Sequence, residues 1–225
     1  MPFLKLHAEL ENMTRMRLMA GVEVPATAVV DRAIDHARHH CEPYLFNHVM
    51  RSWLFAARLA QLRERQHDAE VLAVATLLHD VTLNESFAGP RRFEVEAADI
   101  ARDFARSAGF EERRAQLVWD AVALNSTPSI GLHKEAEVAL CTAGIGLDVI
   151  GFDYDRLPRE TVAGIVSVFP RLAMKRRMSH CFCHIAAHYP GTTYDNFVRD
   201  YGERHVPGYA APSVVDLVDG TPFEE

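Results

Sequence analysis

Between positions 71 and 78 the chain reads Val-Leu-Ala-Val-Ala-Thr-Leu-Leu, with no charge on any helical face, and it then ends in His79 and Asp80. A helix that is apolar all round must be surrounded by protein. The pair at its end is therefore predicted to enter the interior, where buried polar groups need partners. The flanking segments are amphipathic instead. Ala28, Val29, Ala33, Ile34 and Ala37 recur at helical spacing within 26–40, and Phe46, Met50, Trp53, Leu54 and Ala57 do so within 46–65. Asp68 is placed to cap the start of the apolar helix.

Further helices are predicted over 94–107, closed by Gly109, and over 111–124, stopped by Asn125-Ser126-Thr127-Pro128. Another is predicted over 134–147 with Asp148 at its end, one opening at Pro158, one over 171–188 and one over 194–204. No alternating strand stands out, and the Asp219-Gly220 pair has no second strand to join. The expected class is all-α, a helical bundle. Residues 1–24 are expected to form an arm or short helix, 25–207 one domain, and 208–225 an irregular tail.

Composition narrows the function classes. The 225 residues suffice for one substantial core. Lys+Arg 24 against Asp+Glu 31 gives a net charge of -7. That balance, without a long basic cluster, argues against a nucleic-acid partner. Lys175-Arg176-Arg177 reads as a solvated helix face. No run approaches the ~20 apolar residues of a membrane span, so no membrane is expected. The N-terminus soon turns polar and acidic, unlike a signal peptide. Four cysteines suggest reduced thiols and a cytoplasmic location rather than a disulfide scaffold. Met13, Met16 and Met19 read as packing or interface residues, and the amphipathic arm allows a homodimer.

Histidine carries the chemistry. His48 lies on the helix before the apolar one, and Asp148 closes a later helix of similar apolarity. Three helices thus offer His48, His79 with Asp80, and Asp148. Two imidazoles and two carboxylates form a mixed N/O donor set, suited to Zn or Fe, with Mn or Ni as further candidates. A bundle can turn such residues inward at one level. Each residue also has a plainer reading. His48 alone fits a hydrogen-bonded core histidine, and His79-Asp80 alone fits a helix-end pair in which the carboxylate sets the tautomer. Asp148 alone would be a poor helix C-terminal residue, because its charge opposes the dipole.

The order His…His-Asp…Asp resembles the HD-domain metal-dependent hydrolases. Within them the chain looks most like the cyanamide-hydratase-like group, through Asn47-His48-Val49-Met50-Arg51, Leu77-Leu78-His79-Asp80-Val81, Arg92-Phe93-Glu94-Val95, Gly146-Leu147-Asp148-Val149-Ile150-Gly151 and Thr192-Thr193-Tyr194-Asp195-Asn196-Phe197. The resemblance implies an α-helical HD fold and one divalent metal held by His48, His79, Asp80 and Asp148. It also implies metal-activated water as nucleophile. Such proteins commonly carry a histidine where this chain has Asn125, a poor ligand, so a single ion is favoured.

The resemblance leads us to expect hydration or hydrolysis of a small molecule, with a nitrile-like group such as cyanamide as substrate. Asp80 would bind metal and orient water, and His133 would contact substrate or bound water. Arg51, Thr82, Asn84, Phe87, Phe93, Glu94 and Asn125 would surround the substrate, with Arg51 either meeting an anionic group or pairing with Glu94. An HD phosphohydrolase acting on a nucleotide or phosphomonoester is the alternative. It would have to neutralise phosphate charge, with Arg51, Arg91 and Arg92 at hand. A non-catalytic metal-binding HD domain is the third reading. Separately, His180-Cys181-Phe182-Cys183-His184 with His188 puts three histidines at i, i+4, i+8. Lacking a Cys-x-x-Cys partner, it reads as an adventitious surface site.

Overall fold

The computed structural model describes residues 15–84 and 89–223. It opens with an antiparallel hairpin, β1 (Met16–Met19) and β2 (Val22–Pro25). Strands were not expected. Ala20 and Gly21 both take positive φ (46° and 81°), which makes the tight two-residue turn whose twist suits a hairpin. Asn or Asp usually fills the first of these positions, so the sequence carries little warning. Val22 and Val24 are fully buried while Leu18 on the outer strand is exposed.

The helices follow in order: α1 (Ala28–His40), α2 (Pro43–Leu62), α3 (Ala69–Leu78), α4 (Phe93–Ser107) and α5 (Glu112–Ala123). Then come the short α6 (Pro128–Gly131), α7 (Ala136–Ile150), α8 (Arg159–Val168), α9 (Met174–His188) and α10 (Val198–His205). A short helix, α11 (Val214–Asp219), interrupts the tail that was expected to be irregular. The all-α expectation holds apart from the hairpin. Among the described residues no helix is long and apolar enough to cross a membrane.

α3 is the axis of the molecule. Every residue from Val71 to Leu78 is buried, and α1, α2, α4, α5 and α7 all pack against this one helix. Its start is fixed by Asp68, whose carboxylate accepts the Glu70 and Val71 amides at 3.1 Å and pairs with Arg114 at 2.7 Å. That satisfies donors every helix start leaves open. α2 and α7 lie closely along one another because residue 144 is glycine. A Cβ there would overlap the Ser52 carbonyl and stand 2.7 Å from the Ala56 Cβ. This close packing brings Asp148 on α7 beside His48 on α2.

Candidate metal centre

His79 is the C-cap of α3, where the last carbonyls lose their helical partners. Its Nδ1 lies 2.7 Å from the Thr76 carbonyl and donates to it. The Nδ1 of His48 likewise donates to Asp148 Oδ2 at 2.7 Å. With both Nδ1 positions protonated, the two Nε2 lone pairs are left facing each other 3.1 Å apart. Asp80 Oδ2 completes the triangle, 3.3 Å from His79 Nε2 and 3.5 Å from His48 Nε2. All three side chains are almost wholly buried.

Two lone pairs and a carboxylate at this separation repel one another unless a proton or a metal cation lies between them. The distances suit a metal: with ligands ~2.1 Å from an ion, donors sit ~3.0 Å apart in an octahedron and ~3.4 Å apart in a tetrahedron. His48, His79 and Asp80 are the group of three among the described residues that could hold a metal ion. Two neutral imidazoles and one carboxylate are a borderline N/O set, and three ligands leave positions open for water.

Asp148 has a different place from the one expected for a fourth ligand. It stands behind the His48 ring, on the Nδ1 side, away from His79 and Asp80. Arg51 grips it with two parallel bonds, Nε to Oδ1 at 2.7 Å and Nη2 to Oδ2 at 2.8 Å, and Arg171 adds a third at 3.0 Å. α7 runs on to Ile150, so Asp148 lies in the last helical turn, where these cations offset its unfavourable position in the dipole. The arrangement is a carboxylate holding a histidine whose other nitrogen faces the candidate site.

The electrostatics treat the two rings differently. Burial opposes charge on Asp148, yet His48 and Arg51 hold its carboxyl well below the usual range. Burial lowers the His48 imidazole despite the Asp148 carboxylate, which favours a neutral ring. Burial also disfavours charge on His79, but Asp80 and the Thr76 carbonyl together lift that imidazole above its ordinary value. Asp80 resists burial for the same reason, and its two histidine neighbours keep its carboxyl low.

Other expected contacts are redistributed. Arg51 is fully buried and committed to Asp148 and to the Phe169 carbonyl at 2.8 Å, so it pairs with neither Glu94 nor a ligand. Glu94 is buried and accepts Arg92 at 2.9 Å and the Ser126 hydroxyl at 2.6 Å. Thr82 donates to the Phe93 carbonyl at 2.8 Å. Phe93 packs on Phe182 and Phe197, behind the wall they form. Neither Asn84 nor the exposed His133 lines the cavity over the three donors. Phe87 lies outside the described residues. Asn125 does reach the cavity, its Nδ2 anchored on the Val122 carbonyl at 2.6 Å.

That cavity is about 490 Å³ and has His48, His79 and Asp80 in its wall. Several of its residues come from α9 and α10: Met178, Phe182, Asp200 and Tyr201. Sequence reasoning missed them because apolar positions at helical spacing read as ordinary core. The familiar stretch ending in Phe197, itself a cavity residue, was the one available signal.

The family model for the HD domain matches residues 45–173, more than half of the chain and all four residues of the expected motif. Among curated proteins, none matches the chain.

Proposed function

The chain belongs to the HD-domain family, and from that premise we propose that it is a metal-dependent hydrolase working at His48, His79 and Asp80. One observation carries the reading: two imidazoles whose Nδ1 sides are occupied turn their Nε2 atoms toward each other, 3.1 Å apart, beside a carboxylate. Zn or Fe suits this set best, with Mn or Ni next. A divalent ion held there would lower the pKa of water toward ~7, supplying hydroxide near neutrality.

The protein's own residues do the remaining work. Asp148 and the Thr76 carbonyl fix both rings in the tautomer that leaves Nε2 free to bind. Asp80, kept ionised by the histidines, can accept a hydrogen bond from the reacting water and orient it. Asn125 and Ser126 are neutral polar groups in the cavity wall that can meet a developing charge on nitrogen or oxygen. The substrate favoured by such a wall is an uncharged small molecule with a nitrile-like or amide-like group. For a nitrile, water adds across the C≡N bond, oxygen to carbon and both hydrogens to nitrogen after tautomerisation, giving the amide.

Hydrolysis of phosphate esters ranks second. It needs cations around the phosphate, and Arg51, Arg91 and Arg92 are paired with Asp148, with Glu96 and Asp99, and with Glu94. Among the described residues no Lys or Arg lines the cavity. The test is a screen of the metal-loaded protein on nitriles, amides, nucleotides and phosphomonoesters. Turnover of an uncharged substrate that is lost in Asp80→Ala is the expected outcome. Phosphate release from nucleotides with no activity on nitriles or amides would reverse the ranking. Bound metal with no water on it and no turnover would favour a non-catalytic domain.

A further inference from the structure

The cavity is large for the smallest substrate of this kind. At about 490 Å³ it falls in the ~300–1,000 Å³ range of sites that enclose drug-sized ligands. Liquid water occupies ~30 Å³ per molecule, so a three-heavy-atom nitrile would leave most of the space to solvent. The walls offer that solvent little. Ile145 and Val149 on α7, Met178 and Phe182 on α9, and Phe197 all line the cavity, the Phe182 and Phe197 ring centroids 4.8 Å apart. Water held against such a surface has few partners, and its displacement by hydrocarbon is favourable.

Charge points the same way. Among the described residues the ionisable carboxylates on the wall are Asp80, beside the two histidines, and Asp200, on the exposed surface of α10. Among the described residues no lysine or arginine accompanies them, and the nearby guanidiniums of Arg51 and Arg171 are turned onto Asp148. An anionic substrate body would meet apolar side chains and like charge.

We propose that this cavity receives an uncharged, extended apolar body, an alkyl chain or aromatic ring. The reactive group would then lie against His48, His79 and Asp80. The proposal rests on the hydrolase reading and gives its substrate a class: a hydrophobic nitrile or amide rather than a minimal one.

The test compares two metal-binding probes on the zinc-loaded protein by titration calorimetry, acetohydroxamate and octanohydroxamate. Each buried methylene multiplies affinity by up to about fourfold, so six further methylenes should tighten binding by roughly 100-fold even with incomplete burial. Val149→Arg places a cation in the wall at a position already 36% exposed, where the fold tolerates it. It should cost octanohydroxamate about tenfold more than it costs acetohydroxamate. Equal affinities for the two probes, or AMP binding more tightly than octanohydroxamate, would overturn the proposal while leaving the metal centre standing. Absence of bound zinc would instead remove the hydrolase reading. The cavity is then read alone with N-phenyl-1-naphthylamine, which needs no metal. A fluorescence rise in the metal-free protein that Val149→Arg suppresses supports the apolar body, and no rise contradicts it.

Discussion

Two groups of histidines in this protein have similar credentials on paper and very different surroundings. His180, His184 and His188 are four apart on the single helix α9, and the His184 and His188 ring centroids lie 4.2 Å apart, the planes tilted by 32°. His188 is exposed and its Nδ1 donates to the His184 carbonyl one turn back, on the same helix. His48 and His79 come from different helices, are buried, and have their Nδ1 atoms held by groups that leave both Nε2 atoms converging on Asp80. Spacing along one helix brings rings near each other, but it does not aim lone pairs at a common point. Aiming requires partners behind each ring, and here α7 and the frayed end of α3 supply them.

The largest expected effect comes from removing the cation that makes this support tolerable. Arg51→Leu leaves Asp148 ionised and buried with the His48 ring and a single cation, the partly buried Arg171, in reach, and should lower unfolding stability in urea by about 3–5 kcal/mol. A loss below about 1 kcal/mol would mean that the pair is not essential to the α2–α7 packing. Asp148→Asn sharpens the contrast between holding a ring and binding an ion. It should weaken metal affinity about 10–100-fold, in competition with a chelator, while one equivalent still binds at saturation. Loss of all binding would return Asp148 to the ligand set.

Asp68, at the other end of α3, should matter less. Asp68→Ala is expected to cost about 1 kcal/mol through the lost cap. Burial opposes the charge of Asp68, but Arg114 and the Val71 and Glu70 amides outweigh it and hold the carboxyl below its ordinary value of 3.8. A depressed folded pKa contributes stability that is complete above 3.8 and disappears as pH falls through the lower folded value. The gap between wild type and Asp68→Ala should therefore be constant near neutrality and close below that point. The smallest effect belongs to the surface group, where His188→Ala should stay within about 0.5 kcal/mol of wild type.

Some of this was legible in the sequence and some was not, for physical reasons. The buried axis, its Asp68 cap and the delivery of His79-Asp80 from its end follow from one apolar run, since only a surrounded helix can dispense with a polar face. The motif order brought in His48 and Asp148. It could not say which edge of the His48 ring Asp148 would meet, because the sequence records neither rotamers nor the glycine-dependent approach of α2 and α7. Arg51 was assigned to an anionic ligand or to Glu94 on its spacing from His48. Its burial against Asp148 is a tertiary fact 97 residues away in sequence. The hairpin escaped notice because four-residue strands around Ala20-Gly21 carry almost no periodicity. The α9 and α10 wall was hidden because a cavity surface made of Met and Phe looks like core until the packing leaves a gap.

Elemental analysis of the purified protein beside His79→Ala and His188→Ala separates the buried histidines from the surface ones. Wild type and His188→Ala should carry roughly one equivalent of Zn or Fe, and His79→Ala almost none, since losing one of three ligands removes most of the affinity. Metal retained in His79→Ala, or lost in His188→Ala, would contradict that separation.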